Sequence, residues 1–196
     1  ANAARPININ SSTLDIDGAA TFAEAITAGV LDIDGAVTFT DSVTNLGTSS
    51  VGAAAIFSSD LTATGAIVFD SATAVKGDLT LSSATATGIS NVLTFTGSSI
   101  TATAALLSDA AASGMTINGT GDKTIAVQIT PDADDEFLLT QTAASGTVTF
   151  TKVMGVDAST DLLLEKADFQ TGSVSIVQEK LHTEILTVAG VLTIQE

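Results

Sequence analysis

The 196 residues contain no cysteine, tryptophan or tyrosine, only one histidine and two prolines, and just six lysines and arginines against 22 aspartates and glutamates. Each shortage excludes something. Without cysteine there is no disulfide framework, no thiol nucleophile and no thiolate metal site. A single imidazole with no thiol leaves few nucleophile and base pairings, and neither a Gly-x-Ser-x-Gly elbow nor a His-Glu-x-x-His motif occurs. His182, between Leu181 and Thr183, lacks a partner in sequence and reads as an ordinary residue. Gly119-Thr-Gly121 is too short to cradle a phosphate. Carboxylates are numerous enough for glycoside hydrolysis, yet Trp and Tyr, the usual platforms for sugar rings, are missing. The chain reads as not an enzyme.

The shortage of cations gives a net charge of −16. Nucleic acid is excluded as a partner, because neutralising phosphates requires clusters of Lys and Arg. An anionic membrane surface repels such a chain as well. Apolar stretches such as Val51 to Phe57 fall far short of the ~20 residues that span a bilayer as a helix, so membrane insertion is not expected. The start at Ala1-Asn-Ala-Ala resembles what remains after a presequence is removed, and points to an extracellular or cell-surface location.

What is present is Ala, Val, Ile, Leu, Thr, Ser and Gly, with eight Phe as the only aromatics and 45% hydrophobic residues. β-branched residues suit a pleated surface, and small residues suit close backbone approach and tight corners. Ala-rich Thr103 to Ala112 holds helix formers, but its Thr and Ser neighbours favour extended chain.

The internal repeat is the most informative feature. Leu14-Asp-Ile-Asp-Gly-Ala-Ala-Thr-Phe22 and Leu31-Asp-Ile-Asp-Gly-Ala-Val-Thr-Phe39 differ at one position. The frame returns as Leu61-Thr-Ala-Thr-Gly-Ala-Ile-Val-Phe69 and Leu186-Thr-Val-Ala-Gly-Val-Leu-Thr-Ile194, with partial copies from Leu79 and Met115. Starts at Leu14, Leu31, Leu61, Leu79, Met115 and Leu186 leave intervals of 17, 30, 18, 36 and 71, mostly near multiples of 17 or 18. Within a copy, apolar and polar residues alternate, as in a strand with one buried face, and a glycine then breaks the strand. The expected fold is all-β: a β-solenoid of stacked 17–18-residue repeats, each with a strand, a glycine corner and a second strand. The alternative is an antiparallel sandwich or jelly roll, with Asp17-Gly18 and Asp34-Gly35 as hairpin turns. Leu14, Ile16 and Phe22, with their counterparts, are expected to point inward.

Two regions are expected: a repeat region over residues 1–130, and a C-terminal cap or second small domain over 131–196. Pro131 marks the change, since the short stretch from there to Glu196 holds as many acidic residues as all of the chain before it. Phe137-Leu-Leu-Thr, Gly146-Thr-Val-Thr-Phe150 and Leu162-Leu-Leu read there as more conventional sheet.

The repeated Asp-x-Asp-Gly is the one constellation with metal chemistry. Asp15, Asp17, Gly18 and Glu24 match positions three, five, six and twelve of a calcium loop, but Thr13 stands where the first ligand belongs, and the second copy has Val30 there and Asp41 last. An EF-hand is therefore not expected. Stacked coils would instead place Asp15 beside Asp32 and Asp17 beside Asp34, ~4.8 Å apart. Repulsion of about 1 kcal/mol per pair in water would be relieved by calcium, or the ladder would stay solvated and discourage edge pairing. Asp132-Ala-Asp-Asp-Glu136 is a second calcium candidate. Asn10-Ser-Ser and Asn118-Gly-Thr are glycan acceptor triplets.

These repeats resemble the β-rich shafts of phage tail fibres, bacterial surface adhesins and subunits of extracellular filaments. That resemblance implies a non-catalytic protein that assembles with copies of itself. Ile7-Asn-Ile-Asn and Leu186 to Ile194 read as end strands to which a partner's strand can add. The leading expectation is thus a self-assembling filament subunit. A binding module or a surface-lattice subunit is the alternative, and Thr21, Thr38 and Thr193, at one repeat position, would give such a module a flat threonine rank.

Overall fold

The structure, a computed structural model, describes residues 6–108, 113–130, 137–142, 145–152, 164–170, 172–177, 181 and 183–195. Among them there is no helix, and every strand pairing is parallel. The chain winds as a β-solenoid of about eight turns. Parallel pairing rules out the sandwich, and Asp17-Gly18 and Asp34-Gly35 are corners between faces, not hairpins.

Each coil has three sides. β1 (Ile7–Ile16) turns a corner and serves two faces, β2 (Ala20–Phe22) opens the third, and β3 (Ile26–Ile33) turns a corner as β1 does. β4 (Val37–Phe39), β5 (Val43–Asn45) and β6 (Ser49–Val51) complete a coil. β7 (Ala55–Phe57), β8 (Leu61–Ala63) and β9 (Ile67–Phe69) make the next, then β10 (Thr73–Val75), β11 (Leu79–Leu81) and β12 (Thr87–Ile89). β13 (Val92–Phe95), β14 (Ser99–Ala102) and β15 (Leu106–Ser108) follow, then β16 (Gly114–Ile117), β17 (Lys123–Ala126) and β18 (Ile129–Thr130). Beyond Pro131 the described strands are β19 (Leu138–Gln141), β20 (Thr147–Phe150), β21 (Leu164–Phe169), β22 (Ser173–Val177), β23 (Thr183–Val188) and β24 (Val191–Gln195).

The first face is the nine-stranded sheet from β2 through β4, β7, β10, β13, β16, β19 and β21 to β23. The second runs from the start of β1 through the start of β3 and through β5, β8, β11, β14, β17, β20 and β22 to β24. The third runs from the end of β1 through the end of β3 and through β6, β9, β12 and β15 to β18. Two ladders cross residue 131, β16 to β19 and β17 to β20. The segments around Leu139 and Val148 are thus parallel rungs of the same faces, not a more conventional sheet. Within Thr103 to Ala112, Thr103 to Ala105 bend at a corner and Leu106 to Ser108 form β15, with Ala112 and its three preceding neighbours outside the described residues.

The unit beneath the repeat is a hexad. From Val37 to Leu81 a strand begins at every sixth position, and each three-residue strand points its first and third side chains inward and its second outward. The three residues between strands are the corner, as in Lys76-Gly77-Asp78. Three such steps close a coil, so each turn has three strands where the sequence suggested two. The step also accounts for the odd interval of 30, which is five steps and not a whole number of coils. Leu14 and Leu31 pair on the third face and Leu61 and Leu79 on the second, while Met115 and Leu186 share the first face. The copies are equivalent as steps but do not all lie in one column.

A coil this narrow encloses few side chains, which explains the missing Trp and Tyr. The coil from Val37 to Val51 buries Val37, Phe39, Val43, Asn45, Ser49 and Val51, and one phenylalanine fills its centre. Phe22, Phe39 and Phe57 stack along the axis with ring centroids 5.3 and 5.1 Å apart. Burying each such ring stabilises the fold by roughly 1.5–3 kcal/mol, and stacking adds about 0.5–1.5 kcal/mol per pair. Ile16 is buried, with Leu14 and Phe22 partly buried against the core, as their alternation predicted. In that coil Asn45 and Ser49 are the polar exceptions and satisfy each other: Ser49 Oγ donates to Asn45 Oδ1 at 2.7 Å, Asn45 Nδ2 donates to the Gly47 carbonyl at 2.8 Å, and Ser49 Oγ accepts from Leu31 N at 2.7 Å.

Corners stack as tightly as faces. A Cβ at Gly47 would lie 2.5 Å from the Gly29 carbonyl oxygen, and one at Gly65 would overlap the backbone of Gly47. Only a residue without a side chain lets these coils close to strand spacing.

Candidate functional site

The acidic ladder stands where stacking predicts it. Leu14, Asp15 and Ile16 pair with Leu31, Asp32 and Ile33, so Asp15 and Asp32 project side by side from the third face, with Asp17 and Asp34 at the following corner. All four are exposed. The charge of Asp17 holds the Asp15 carboxyl above the ordinary aspartate range, helped by desolvation, a hydrogen bond to Asp17, and the charges of Asp32 and Asp34. The cluster is therefore electrostatically frustrated. Even so, among the described residues no group of three or more carboxylates is placed to hold a metal ion. Register alone aligns the acids in a row; calcium needs six to eight oxygens converging on one point.

Other aspartates have a different task. Asp60 Oδ1 accepts from Asp78 N at 2.8 Å, and Asp78 Oδ1 accepts from Ser98 N and Ser99 N at 3.0 and 2.9 Å. Asp122 Oδ1 accepts from Thr147 N at 2.9 Å. Each carboxylate caps amides of the following coil at the corner leading to the second face, where the ladder pattern is interrupted. At the corner from the third face to the first, Asp70 accepts hydroxyls from Ser50 and Ser90, one coil to either side, at 3.2 and 2.9 Å. These acids are mortar between coils.

The outward positions form columns. On the second face Thr27, Thr44, Thr62, Thr80 and Thr101 pair directly in successive coils. On the first face Thr21 pairs with Thr38, after which the column runs through Ile56, Ala74, Thr94, Thr116, Thr140 and Asp168 to Thr187. Thr193 lies on the second face, so it does not share a column with Thr21 and Thr38. As far as Thr94 the first face is a shallow trough of small residues, among them Ala36, Ala54, Ala72 and Ala74, with no charged group in its lining. That trough offers hydroxyls and methyls.

No family model, curated protein or solved structure matches this chain. Its functional reading therefore rests on its own geometry.

Both glycan-acceptor asparagines are exposed: Asn10 lies in β1 beside a bulge, and Asn118 follows β16. Asp132 to Glu136 and His182 lie outside the described residues. Among the described residues no helix is long and apolar enough to cross a membrane.

Sequence reasoning missed Lys123. Only 2% exposed, it sends Nζ into a corner of the preceding coil, where it donates to the carbonyls of Thr96 at 2.8 Å and Gly97 at 2.7 Å and lies 5.8 Å from the centre of the Phe95 ring. Burial lowers its pKa below the ordinary lysine range, opposed in part by Asp78. A lysine at the first, inward position of a rung breaks the apolar alternation, and that break was the available clue.

Proposed function

We propose that the chain is a structural subunit of an extracellular or cell-surface filament, built from copies of itself by addition of β-strands between subunits, with no catalytic role. One observation carries this reading: the outermost described rungs are open. Among the described residues β2 and β23 end the first-face sheet, β24 ends the second, and each has a partner on one side only. A strand edge with unpaired amides and carbonyls is a template for another strand. The last coil also leaves apolar residues in water, with Val191 61%, Ile194 60% and Ile185 51% exposed. The high negative charge supports the reading further, since it keeps an apolar β-rich chain dispersed until ends meet. Electron microscopy and light scattering of the purified chain, with and without calcium, test it. Filaments or long oligomers are expected; a monodisperse monomer at high concentration overturns it.

The threonine column on the second face favours a second reading, a binding face for ordered water or glycans. Hydroxyls and methyls repeat there at the coil spacing of ~4.8 Å on a parallel sheet. Thermal hysteresis or glycan binding by the monomer supports this reading, and lack of both dismisses it.

A further inference from the structure

Among the described residues, Gly18 is a glycine with nothing to make room for. Corner glycines in this molecule direct their missing Cβ at the preceding coil: Gly35 at the backbone of Gly18, Gly47 and Gly65 at the glycine one coil earlier, Gly190 at Gly172. Where a corner glycine lacks such a neighbour, as at Gly121, its φ of +81° requires glycine anyway. Gly18 has neither reason. Its φ is not positive, and a Cβ there meets nothing within 4 Å among the described residues. Yet it sits in the same Asp-Gly corner as Gly35, whose glycine is compelled by stacking.

We propose that the space before Gly18 is filled by the last coil of a second copy, which stacks on the first coil in parallel and in register, so that the solenoid continues from one chain into the next. The inference rests on the self-assembly proposed above and specifies its geometry. The two ends fit. The first face begins at β2 and ends at β23, so one sheet supplies an open edge of the same strand direction at each end. The coil girths match as well: the step from Ala20 to its partner Val37 and the step from Ala167 to its partner Leu186 are nearly equal in length. The exposed Val188 and the partly buried Phe22 belong to one inward column of that face, through Phe39 at one end and Phe169 at the other. Stacking would bury both, continuing within the joint the contact that holds coil to coil inside the chain.

The same register sets Thr187 of one copy beside Thr21 of the next, since both occupy the outward column of the first face and both are exposed. Adjacent rungs lie ~4.8 Å apart, within the range a disulfide spans. The chain has no cysteine of its own, so the pair can be introduced cleanly. The double variant Thr21→Cys with Thr187→Cys, oxidised after assembly, is expected to give a ladder of covalent multimers on a non-reducing gel. Either single variant gives none beyond a dimer. Gly18→Val is expected to fold with the wild-type melting temperature and to lose pelletable filament. If wild type assembles but the double variant shows no ladder, or if Gly18→Val assembles equally well, the coil-on-coil joint is overturned while self-assembly stands. A lowered melting temperature of monomeric Gly18→Val places a segment of the same chain over Gly18 and also overturns the joint. Wild type that stays monomeric overturns both readings.

Discussion

The coils from Val37 to Leu81 and those that follow obey the same rule with different strictness. In the first group Val37 pairs with Ala55 and Ala55 with Thr73, a constant interval of 18. Later on the same face the partner of Thr73 is Leu93, that of Leu93 is Met115, that of Met115 is Leu139, and that of Leu139 is Ala167, so the interval grows to 20, 22, 24 and 28. The rungs do not lengthen in proportion; where described, the added residues enter corners. Ser82 to Ala86 fill with five residues a corner that Thr64, Gly65 and Ala66 fill with three. Asn118 to Asp122 widen another, using two glycines with φ of +93° and +81°. Inward columns are constrained by packing on both sides, whereas a corner faces water and can bulge. Tolerance to insertion is thus local to particular corners.

The largest difference between the regions is expected from glycine substitutions. Gly65→Val, in a regular coil, drives a side chain into the backbone of Gly47 and should cost more than about 4 kcal/mol, or prevent folding, as judged by the urea midpoint. Gly121→Ala, in a wide corner, meets open space and costs only its left-handed backbone, about 1–2 kcal/mol. Equal losses would mean that the wide corners are packed as tightly as the narrow ones.

A smaller effect should distinguish the interiors. Lys123 has a folded pKa below that of the unfolded chain, so the folded state sheds its proton more readily. Stability from this group rises as pH climbs through the folded value and levels off near the ordinary value of 10.5. Urea midpoints from pH 7 to 10.5 should therefore show an upward contribution that Lys123→Met removes; an unchanged slope would contradict burial of the cation. The smallest effect belongs to the acidic ladder. The folded pKa of Asp15 is raised, so its ionised form weakens the fold above that pKa, and the penalty fades as pH falls toward 3.8. Asp15→Asn should raise the melting temperature slightly at pH 7 and not at all near pH 3.8. An equal gain at both values would point to a cause other than charge.

Much of the fold could be read because its rule is local. Alternation around Leu14 and Leu31 announced short strands with one buried face, and the near-identity of the copies that begin there announced stacking. The third strand of each coil escaped notice because Val43-Thr-Asn45 and Ser49-Ser-Val51 place a polar residue inside, where alternation should show an apolar one. Asn45 and Ser49 are tolerated there because they bond to each other and to neighbouring backbone, a pairing no pattern of hydropathy reveals. The pairing of Asp15 with Asp32 was legible from spacing, since register follows directly from coil length. Lys123 was not, because its partners are carbonyls on the preceding coil, far away in sequence. Gly18 looked like any other turn glycine until the comparable ones showed either a close neighbour or a positive φ, and among the described residues it showed neither.

Parallel rungs with one strand spacing between them make length a counted quantity. Each coil advances the rod by ~4.8 Å whether its corners are narrow or wide, so the nine rungs of the first face amount to a rod of about 40 Å. The ladder hydrogen bonds lie along that axis, and a pull on the two ends loads them in series, one boundary at a time. Such a rod should lengthen under tension by opening at its weakest boundary and peeling coil by coil, while a sideways push meets all three sheets at once. Mechanical strength would then be decided by a single junction, not by the sum of them.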